Sequence, residues 1–258
     1  MGTRGESVLR KVGFEHQMKI AIVIPARMGS TRFPGKPLCD LAGKPMIQWV
    51  VEAARKTNLT KTIVVATPDQ EIIDACAAFG ADARFTSPDH PSGTDRIAEL
   101  AHTLQCDIYV NVQGDEPLVE PSDIMACVQP LIDDSGVMMG SIMADCPQDE
   151  EEVSAVVKVV TDLSGNALYF SRYAIPFPRN KRMGPLKKHV GLYAYRHGAL
   201  MQFQKWEQTP LEQTESLEQL RFLENGIRIR MSQGQGSVLA VDTPEQAQAV
   251  RKILEANQ

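Results

Sequence analysis

The loop from Ile24 to Leu38, which reads IPARMGSTRFPGKPL, contains residues suited to holding a polyphosphate. Arg27, Arg32 and Lys36 offer charge-assisted hydrogen bonds to phosphate oxygens, and the loop glycines allow the backbone to approach a ligand closely. The loop is not a Walker A sequence, because its glycines enclose five residues and a proline follows the lysine. We therefore predict a phosphate site of another kind, with an ordinary loop of solvated cations as the alternative.

Two aspartates follow strand-like segments and are candidate ligands of a divalent cation. Asp115 stands in the sequence QGDEP, directly after segment 107–113, and Asp242 follows segment 237–240 and opens the last predicted helix. Magnesium favours one or two carboxylates together with substrate phosphates, so the two aspartates form a plausible metal pair. The alternatives are a turn-forming role for Asp115 and a helix-capping role for Asp242.

A third cluster, HPSGTDR at residues 90–96, leads into a predicted helix over residues 97–104. Its hydroxyl and backbone groups could read the edge of a nucleotide base, and Arg96 could face an acidic substrate. The alternative is that Thr94 or Asp95 caps the helix while Arg96 pairs on its surface.

Alternating strand and helix patterns predict a parallel sheet covered by helices, with ligands at the carboxyl ends of its strands. Beyond about residue 137 the pattern changes to strands separated by turns, which indicates an antiparallel lobe. The predicted strands are 20–24, 62–67, 107–113, 156–160, 167–175 and 189–195, and the predicted helices include 45–56 and 68–79.

Length and composition are those of a soluble enzyme. The 258 residues carry a net charge of -5, which argues against a nucleic-acid partner, and the five cysteines include no CxxC pair, as in a reducing cytosol. No apolar stretch is long enough to span a membrane, so we expect a cytoplasmic protein. We predict a flexible extension over residues 1–17, with Met18 a possible functional start, and a single domain over residues 18–258 that includes the antiparallel lobe at about 137–200.

From Met18 to the C-terminus the chain resembles the cytidylyltransferases that activate 3-deoxy-manno-octulosonate (Kdo), the CMP-Kdo synthetases. The resemblance is carried by the phosphate loop, SGTDR at 92–96, VNVQGDEPL at 110–118, ALYFSRYAIP at 167–176, HVGLYAY at 189–195, PLEQTESLEQLR at 210–221 and VDTPEQ at 241–246. It implies transfer of CMP from CTP to the anomeric hydroxyl of Kdo, for lipopolysaccharide biosynthesis. It also implies a mostly parallel, Rossmann-like nucleotidyltransferase sheet with helices on both faces, and a homodimer paired through the antiparallel lobe.

The resemblance also implies roles for individual residues. Arg27 and Lys36 match the cations that hold the triphosphate of CTP, with Asp115 as the third catalytic residue; Ala26, Ser92 and Gly93 match parts of the cytidine pocket. Asp115 and Asp242 match paired Mg²⁺ ligands. The positions that match the sugar site are Arg96, Gln113, Arg172, His189, Tyr193, Glu218 and Gln219. We expect Glu218 and Gln219 to lie on an amphipathic helix that turns Leu217, Leu220 and Leu223 toward the core and these two side chains elsewhere.

Two departures from the family affect the choice of sugar. Many members have an Asn-Pro-Asn-like run where this chain has Ser154, Ala155 and Val156, and the connection over residues 177–188 is short. The alternatives are therefore a cytidylyltransferase for 8-amino-3,8-dideoxy-manno-octulosonate, sialic acid or an isoprenoid precursor. An alternative from another class is a nucleotide-binding regulator that has lost catalysis, which would need neither Asp115 nor Asp242. The number of magnesium ions and the choice between lipopolysaccharide and capsule stay open.

Overall fold

Nine strands form one sheet in the part of the chain that the structure, a computed structural model, describes: residues 18–30, 32–236 and 239–256. The predicted flexible extension over residues 1–17 lies outside these residues. The strands are β1 Ile20–Pro25, β2 Asp40–Leu41, β3 Lys44–Pro45, β4 Ile63–Thr67, β5 Asp82–Phe85, β6 Ile108–Asn111, β7 Met139–Asp145, β8 Lys158–Thr161, β9 Ala167–Ser171, β10 Lys187–Arg196 and β11 Ile229–Gln233, of which β2 and β3 form a separate small pair.

The main sheet has the strand order β11-β7-β10-β6-β1-β4-β5. Strand β1 runs parallel to both β4 and β6, and β4 runs parallel to β5, as the alternating pattern predicts. Strand β10 is antiparallel to β6 and β7, and β8 and β9 extend the antiparallel part. The predicted fold class, a mostly parallel sheet with a smaller antiparallel part, is confirmed.

Helices cover both faces of the sheet because successive β1 residues point to opposite sides. The helices are α1 Met46–Lys56, α2 Gln70–Ala78, α3 Gly93–Leu104, α4 Pro121–Asp133, α5 His197–Phe203, α6 Pro210–Glu215, α7 Gln219–Glu224 and α8 Pro244–Ala256. Ile22 and Ile24 pack on the face covered by α1, α2 and α4, whereas Ala21 and Val23 pack on the face covered by α3, α5 and α7. None of the described helices combines the length and the apolar character needed to cross a membrane.

The C-terminal segment packs beside the phosphate loop through a third apolar cluster. Leu41 and Met46 are buried there against Val250 and Leu254 of α8. The backbone N–H of Val241 donates to the carbonyl of Asp115 at 2.9 Å. These contacts bring Asp115 and Asp242 together although 126 residues lie between them in the chain.

Three predicted elements differ most from the structure. Strand β9 ends at Ser171 rather than Ile175, because the N–H of Arg172 donates to Glu215 Oε2 instead of a neighbouring strand. Helix α3 begins at Gly93, four residues before the predicted start, because Ser92 caps it. The predicted amphipathic helix around Glu218 is two short helices, since Ser216 has a φ of 52° and interrupts the hydrogen-bonding pattern.

The burial of Gln219 is a further feature that the amphipathic pattern does not predict. Gln219 is only 4% exposed, about as buried as Leu217 at 6%. Helix α7 begins at Gln219 with Glu218 as its N-cap, and the orientation of these two side chains away from the core-facing leucines stays a prediction.

Candidate active site

A cavity of about 560 Å³ lies at the carboxyl ends of β1 and β6. We call it the first cavity. The phosphate loop, the N-terminus of α3, the segment after β6 and the start of the C-terminal segment all contribute to its walls, as expected for parallel strands whose ends meet at one edge. The predicted site residues that line it are Ala26, Arg27, Lys36, Ser92, Gly93, Arg96, Gln113, Asp115 and Asp242.

Lys36 joins the two aspartates in this cavity. Its ammonium Nζ donates to Asp115 Oδ2 at 2.8 Å, to Asp242 Oδ1 at 3.0 Å and to the carbonyl of Val241 at 3.0 Å. Burial lowers the pKa of Lys36, but the two carboxylates outweigh burial and the net effect is a raised pKa, so the lysine stays charged. The site therefore contains two carboxylates that converge on Lys36, and Asp242 also pairs with Arg32 Nη2 at 3.2 Å.

Backbone geometry fixes the positions of both aspartates. At position 114 a Cβ atom would lie 2.7 Å from the carbonyl oxygen of Pro25, so glycine allows the turn before Asp115 to pack against β1. The capping alternative for Asp242 is wrong, because Thr243 Oγ1 accepts from the N–H of Gln246 and caps α8 instead. Gln246 Oε1 in turn accepts from the N–H of Asp242 at 2.7 Å. The Asp242 carboxylate is thus directed to Lys36.

The chemistry of the pair fits a hard divalent cation. Two carboxylates from different segments meet at one positive charge, and Mg²⁺ takes such oxygen ligands together with phosphate oxygens and water. Among the described residues no group of three or more His, Cys, Asp or Glu side chains could hold a metal ion. A cation at this pair would therefore need further ligands from a substrate.

The other basic residues of the first cavity have different environments. Arg27 is exposed, whereas Arg96 is 4% exposed and donates from Nη1 to Thr86 Oγ1 at 2.9 Å and to the Ser87 carbonyl at 2.7 Å. Burial, and then the charge of Arg27, lower the pKa of Arg96. Arg96 is thus anchored in the protein rather than paired on the helix surface, and its predicted contact with an acidic substrate stays a prediction.

The N-terminus of α3 forms the wall opposite the phosphate loop. Ser92 Oγ accepts from the N–H of Asp95 at 3.3 Å, so Ser92 is the cap, and the alternative cap at Thr94 or Asp95 is wrong. Thr94 instead donates to Glu218 Oε1. A Cβ atom at Gly93 would lie 3.2 Å from the Pro25 side chain, which shows how closely the helix approaches β1. The first-turn N–H groups favour an electronegative ligand here.

A second cavity, of about 370 Å³, lies on the other side of the segment 113–116. Gln113 and Asp115 line the first cavity, whereas Glu116 lines the second. Three predicted sugar-site residues, His189, Tyr193 and Gln219, also line the second cavity. The structure therefore divides the predicted site residues between two neighbouring cavities that share one wall.

Two predicted sugar-site residues line neither cavity. Arg172 donates from Nε to the carbonyl of Glu215 at 2.6 Å and from Nη1 to that of Ser154 at 3.0 Å, so it connects β9 to the loop before β8. Glu218 is half-buried beside Thr94, and desolvation raises its pKa. Both residues support the cavity walls, and direct sugar contacts from either stay predictions.

His189 is neutral, and its hydrogen-bond partner identifies the tautomer. Ser141 Oγ donates its hydrogen to the carbonyl of Leu192 at 2.8 Å, so it must accept from His189 Nε2, which lies 3.0 Å away. The ring is packed edge-on against Phe170, and burial lowers the pKa of His189 to about 3. Nδ1 is then an acceptor.

Stability should fall on acidification because of this histidine. A histidine with a depressed folded-state pKa takes up a proton only on unfolding, so stability is lost as the pH falls below about 6.5. We expect His189 to make the wild type about 2 kcal/mol less stable at pH 5 than at pH 7. Urea unfolding at both pH values should show that this difference shrinks in His189→Asn and persists in the control His102→Asn, which changes an exposed histidine. An unchanged pH dependence in His189→Asn would contradict the assignment.

Two residues without a predicted role of their own also line these cavities. His90 lines the first cavity and its Nε2 contacts Glu99 Oε2. Glu116 lines the second cavity, and burial, with the charges of Asp115 and Asp123, raises its pKa to about 7. Both stand inside the motifs described above, so a signal was present, but residue type alone does not tell which neighbour in a motif faces a ligand.

The cytidylyltransferase family model matches residues 21–229. The chain is 48% identical to the 3-deoxy-manno-octulosonate cytidylyltransferase of Trichlorobacter lovleyi, over 88% of this chain and 95% of that protein. It is 43% identical to the enzyme of the same name from Escherichia coli, over 92% of this chain and 96% of that protein.

Solved structures agree with these sequence matches. A structure of CMP:2-keto-3-deoxy-manno-octonic acid synthetase in complex with CTP superposes with a TM-score of 0.91 at 42% identity, covering 93% of this chain and all of that one. The 4-diphosphocytidyl-2C-methyl-D-erythritol synthase of Anaerococcus prevotii, at 14% identity and a TM-score of 0.63, shares the fold alone. The family match, the identities and the fold together show that this chain is an enzyme of the cytidylyltransferase family.

Proposed function

We propose that this enzyme transfers CMP from CTP to the anomeric hydroxyl of Kdo and so forms CMP-Kdo and pyrophosphate. The observation that carries the proposal is the junction of Lys36 with Asp115 and Asp242 inside the first cavity. The high identity to enzymes named for this reaction supports the choice of nucleotide and sugar.

CTP occupies the first cavity in this proposal. Its triphosphate lies along the phosphate loop, where Arg27 and Lys36 stabilise the charge that develops on the departing pyrophosphate. Ala26, Ser92 and Gly93 line the same cavity and hold the cytidine. The anomeric hydroxyl of the sugar attacks the α-phosphorus in line with the leaving pyrophosphate.

Asp115 and Asp242 would hold Mg²⁺ together with phosphate oxygens of CTP. When bound, the ion supplies neutralising charge to the phosphates and lowers the pKa of a coordinated hydroxyl. Lys36 contacts both carboxylates, so it shares them with the ion or turns toward the phosphates. Either arrangement keeps positive charge where negative charge develops.

Kdo occupies the second cavity, beyond the shared wall at residues 113–116. His189, Tyr193 and Gln219 provide polar groups on that side, with Gln113 and Arg96 directed to the first cavity. Glu218 and Arg172 support the walls from behind. The wall between the cavities is where the hydroxyl and the α-phosphorus would meet.

Pyrophosphate release tests this proposal. The purified enzyme is given CTP and Mg²⁺ with Kdo, its 8-amino analogue or N-acetylneuraminate in separate wells, beside controls without sugar and without metal. We expect release with Kdo and none in either control. Preference for the 8-amino analogue would keep the reaction and change the sugar. Silence with all three despite CTP binding would favour a nucleotide-binding regulator.

We also propose that the enzyme is a cytoplasmic homodimer with a single domain over residues 18–258. Support for the dimer comes from large apolar side chains that are exposed in and after β9. Leu168, Tyr173 and Phe177 are 62%, 81% and 85% exposed, respectively. Exposed apolar groups concentrated in one region are typical of protein–protein interfaces.

Replacing two of these side chains should dissociate the dimer. We expect light scattering to give twice the 28.5 kDa chain mass for the wild type and the single-chain mass for Tyr173→Ser/Phe177→Ser. Phe85→Ser is the matched control, since Phe85 is 60% exposed but lies on β5, at the other end of the sheet. A monomeric wild type would contradict the proposed dimer.

A further inference from the structure

Two residues that line the second cavity each have a buried polar atom without a hydrogen-bond partner. In the described part of the chain four buried side-chain nitrogen or oxygen atoms lack a partner, and two of them are Glu116 Oε2 and Gln219 Nε2. Both residues line the same cavity of about 370 Å³. Because a buried polar atom without a partner is costly, their presence in one cavity indicates a ligand that supplies the missing hydrogen bonds.

The free end of the Gln219 amide is determined by its neighbour. The hydroxyl of Tyr193 donates to Gln219 Oε1 at 3.3 Å, so Oε1 is the engaged atom and the NH₂ group is the one left over. Nε2 can only donate. Gln219 therefore requires an acceptor from the ligand.

Glu116 requires a hydrogen-bond donor from the ligand. Its Oε2 accepts no hydrogen bond, and the charged groups that act on it, Asp115 and Asp123, are both acidic. Oε1 packs beneath β10, 3.7 Å from the position that a Cβ atom at Gly191 would occupy. The side chain is thus confined beside a strand that has no side chain at this point, and no described cation compensates it. A hydrogen-bond donor on the ligand would compensate the Glu116 carboxylate.

Two side chains of β10 also line this cavity. His189 and Tyr193 are four positions apart and stand on either side of the register shift between β10 and β7. His189 lines the same cavity, and its Nδ1 is an acceptor. One donor and two acceptors suit a polyol, because each hydroxyl group both donates and accepts.

We propose that Glu116 is a sugar-binding residue, whose Oε2 accepts a hydrogen bond from a hydroxyl group of the sugar acid while Gln219 Nε2 donates to an oxygen of the same molecule. This inference rests on the proposed function. Asp115 and Asp123 make the surroundings of Glu116 itself negative, although Lys188 also lines the cavity, so a hydroxyl group of the sugar and not its carboxylate lies at Glu116.

Two variants of Glu116 test the assignment. Glu116→Met removes both oxygens at similar volume, and we expect the KM for the sugar to rise about 10- to 100-fold while the KM for CTP and the Mg²⁺ dependence stay within about twofold of wild type. Glu116→Gln keeps one oxygen and should recover part of the loss. Glu120→Met is the matched control, because Glu120 is an exposed acid on the same segment whose side chain makes no capping hydrogen bond.

Sugar analogues that lack one hydroxyl group distinguish a direct hydrogen bond between Glu116 and the sugar from an indirect effect of the substitution on the shape of the cavity. For the analogue that lacks the hydroxyl bound by Glu116, wild type and Glu116→Met should have equal KM values. For every other deoxy analogue, the KM of the variant should exceed that of the wild type by the same factor as for the complete sugar. An unchanged sugar KM in Glu116→Met, or an equal loss with every analogue, would overturn the proposal. Calorimetric binding of the sugar to wild type and variant needs no turnover, so failure of this subsite is distinguishable from failure of the proposed reaction.

Discussion

Asp115→Asn should reduce kcat by about 10³-fold or more while the protein stays folded. The amide has nearly the same shape as the carboxylate but carries no charge, so it is a poor ligand for Mg²⁺. Lys36 keeps Asp242 and the Val241 carbonyl as partners, which preserves the loop. Steady-state pyrophosphate release at saturating CTP and sugar measures the loss, and thermal unfolding checks the fold.

The control for this variant is Asp82→Asn. Asp82 also pairs with a basic side chain, Arg84, at 3.0 Å, but it lies on the exposed edge strand β5, far from the first cavity in the sheet order. We expect its activity to equal that of the wild type. Near-normal kcat in Asp115→Asn would remove Asp115 from the catalytic site.

Lys36→Met should lower kcat/KM for CTP by about 10²- to 10³-fold. The variant loses the charge that stabilises the pyrophosphate, and it leaves Asp115 without its cation, while Asp242 keeps Arg32 Nη2 at 3.2 Å. A carboxylate pair with less positive charge beside it attracts a divalent ion more strongly, so Mg²⁺ should bind the free variant more tightly than it binds the free wild type. Calorimetry without CTP measures that second effect.

Lys44→Met provides the comparison. Lys44 pairs with Glu52 at 2.8 Å and so resembles Lys36 in type and partner, but it lies at β3, outside both cavities. We expect it to change neither CTP kinetics nor Mg²⁺ binding. If Lys36→Met lost activity and Mg²⁺ binding together, the lysine would support the metal pair rather than compete with an ion for it.

The parallel half of the fold could be predicted because its signals are local. The run at 20–24 has nothing but β-branched residues and one alanine, and the helix at 45–56 repeats apolar residues at helical spacing, so both elements lie within one residue of their predicted bounds. The local patterns of this strand and this helix do not predict how Asp242 approaches Asp115. It depends on α8 packing against Leu41 and Met46, a contact between distant segments.

The division of the site into two cavities could not be predicted from the sequence. Asp115 and Glu116 are adjacent acids, yet the turn after β6 sends one to each cavity. Gln219 is buried at the start of α7 because the left-handed Ser216 separates α6 from α7, a break that the amphipathic pattern of the sequence does not predict. Such outcomes depend on backbone geometry and tertiary packing, which residue types alone do not determine.

The most direct test of the account follows the labelled phosphorus of CTP. With α-labelled CTP, Mg²⁺ and Kdo, the wild type should transfer the label to a CMP-sugar in equal amounts with pyrophosphate, and Asp115→Asn should transfer none at matched protein concentration. Mass spectrometry identifies the product. Label that stays in CTP while the wild type binds the nucleotide, or label released as free CMP without a sugar conjugate, would contradict the assignment of this chain as a CMP-Kdo-forming enzyme.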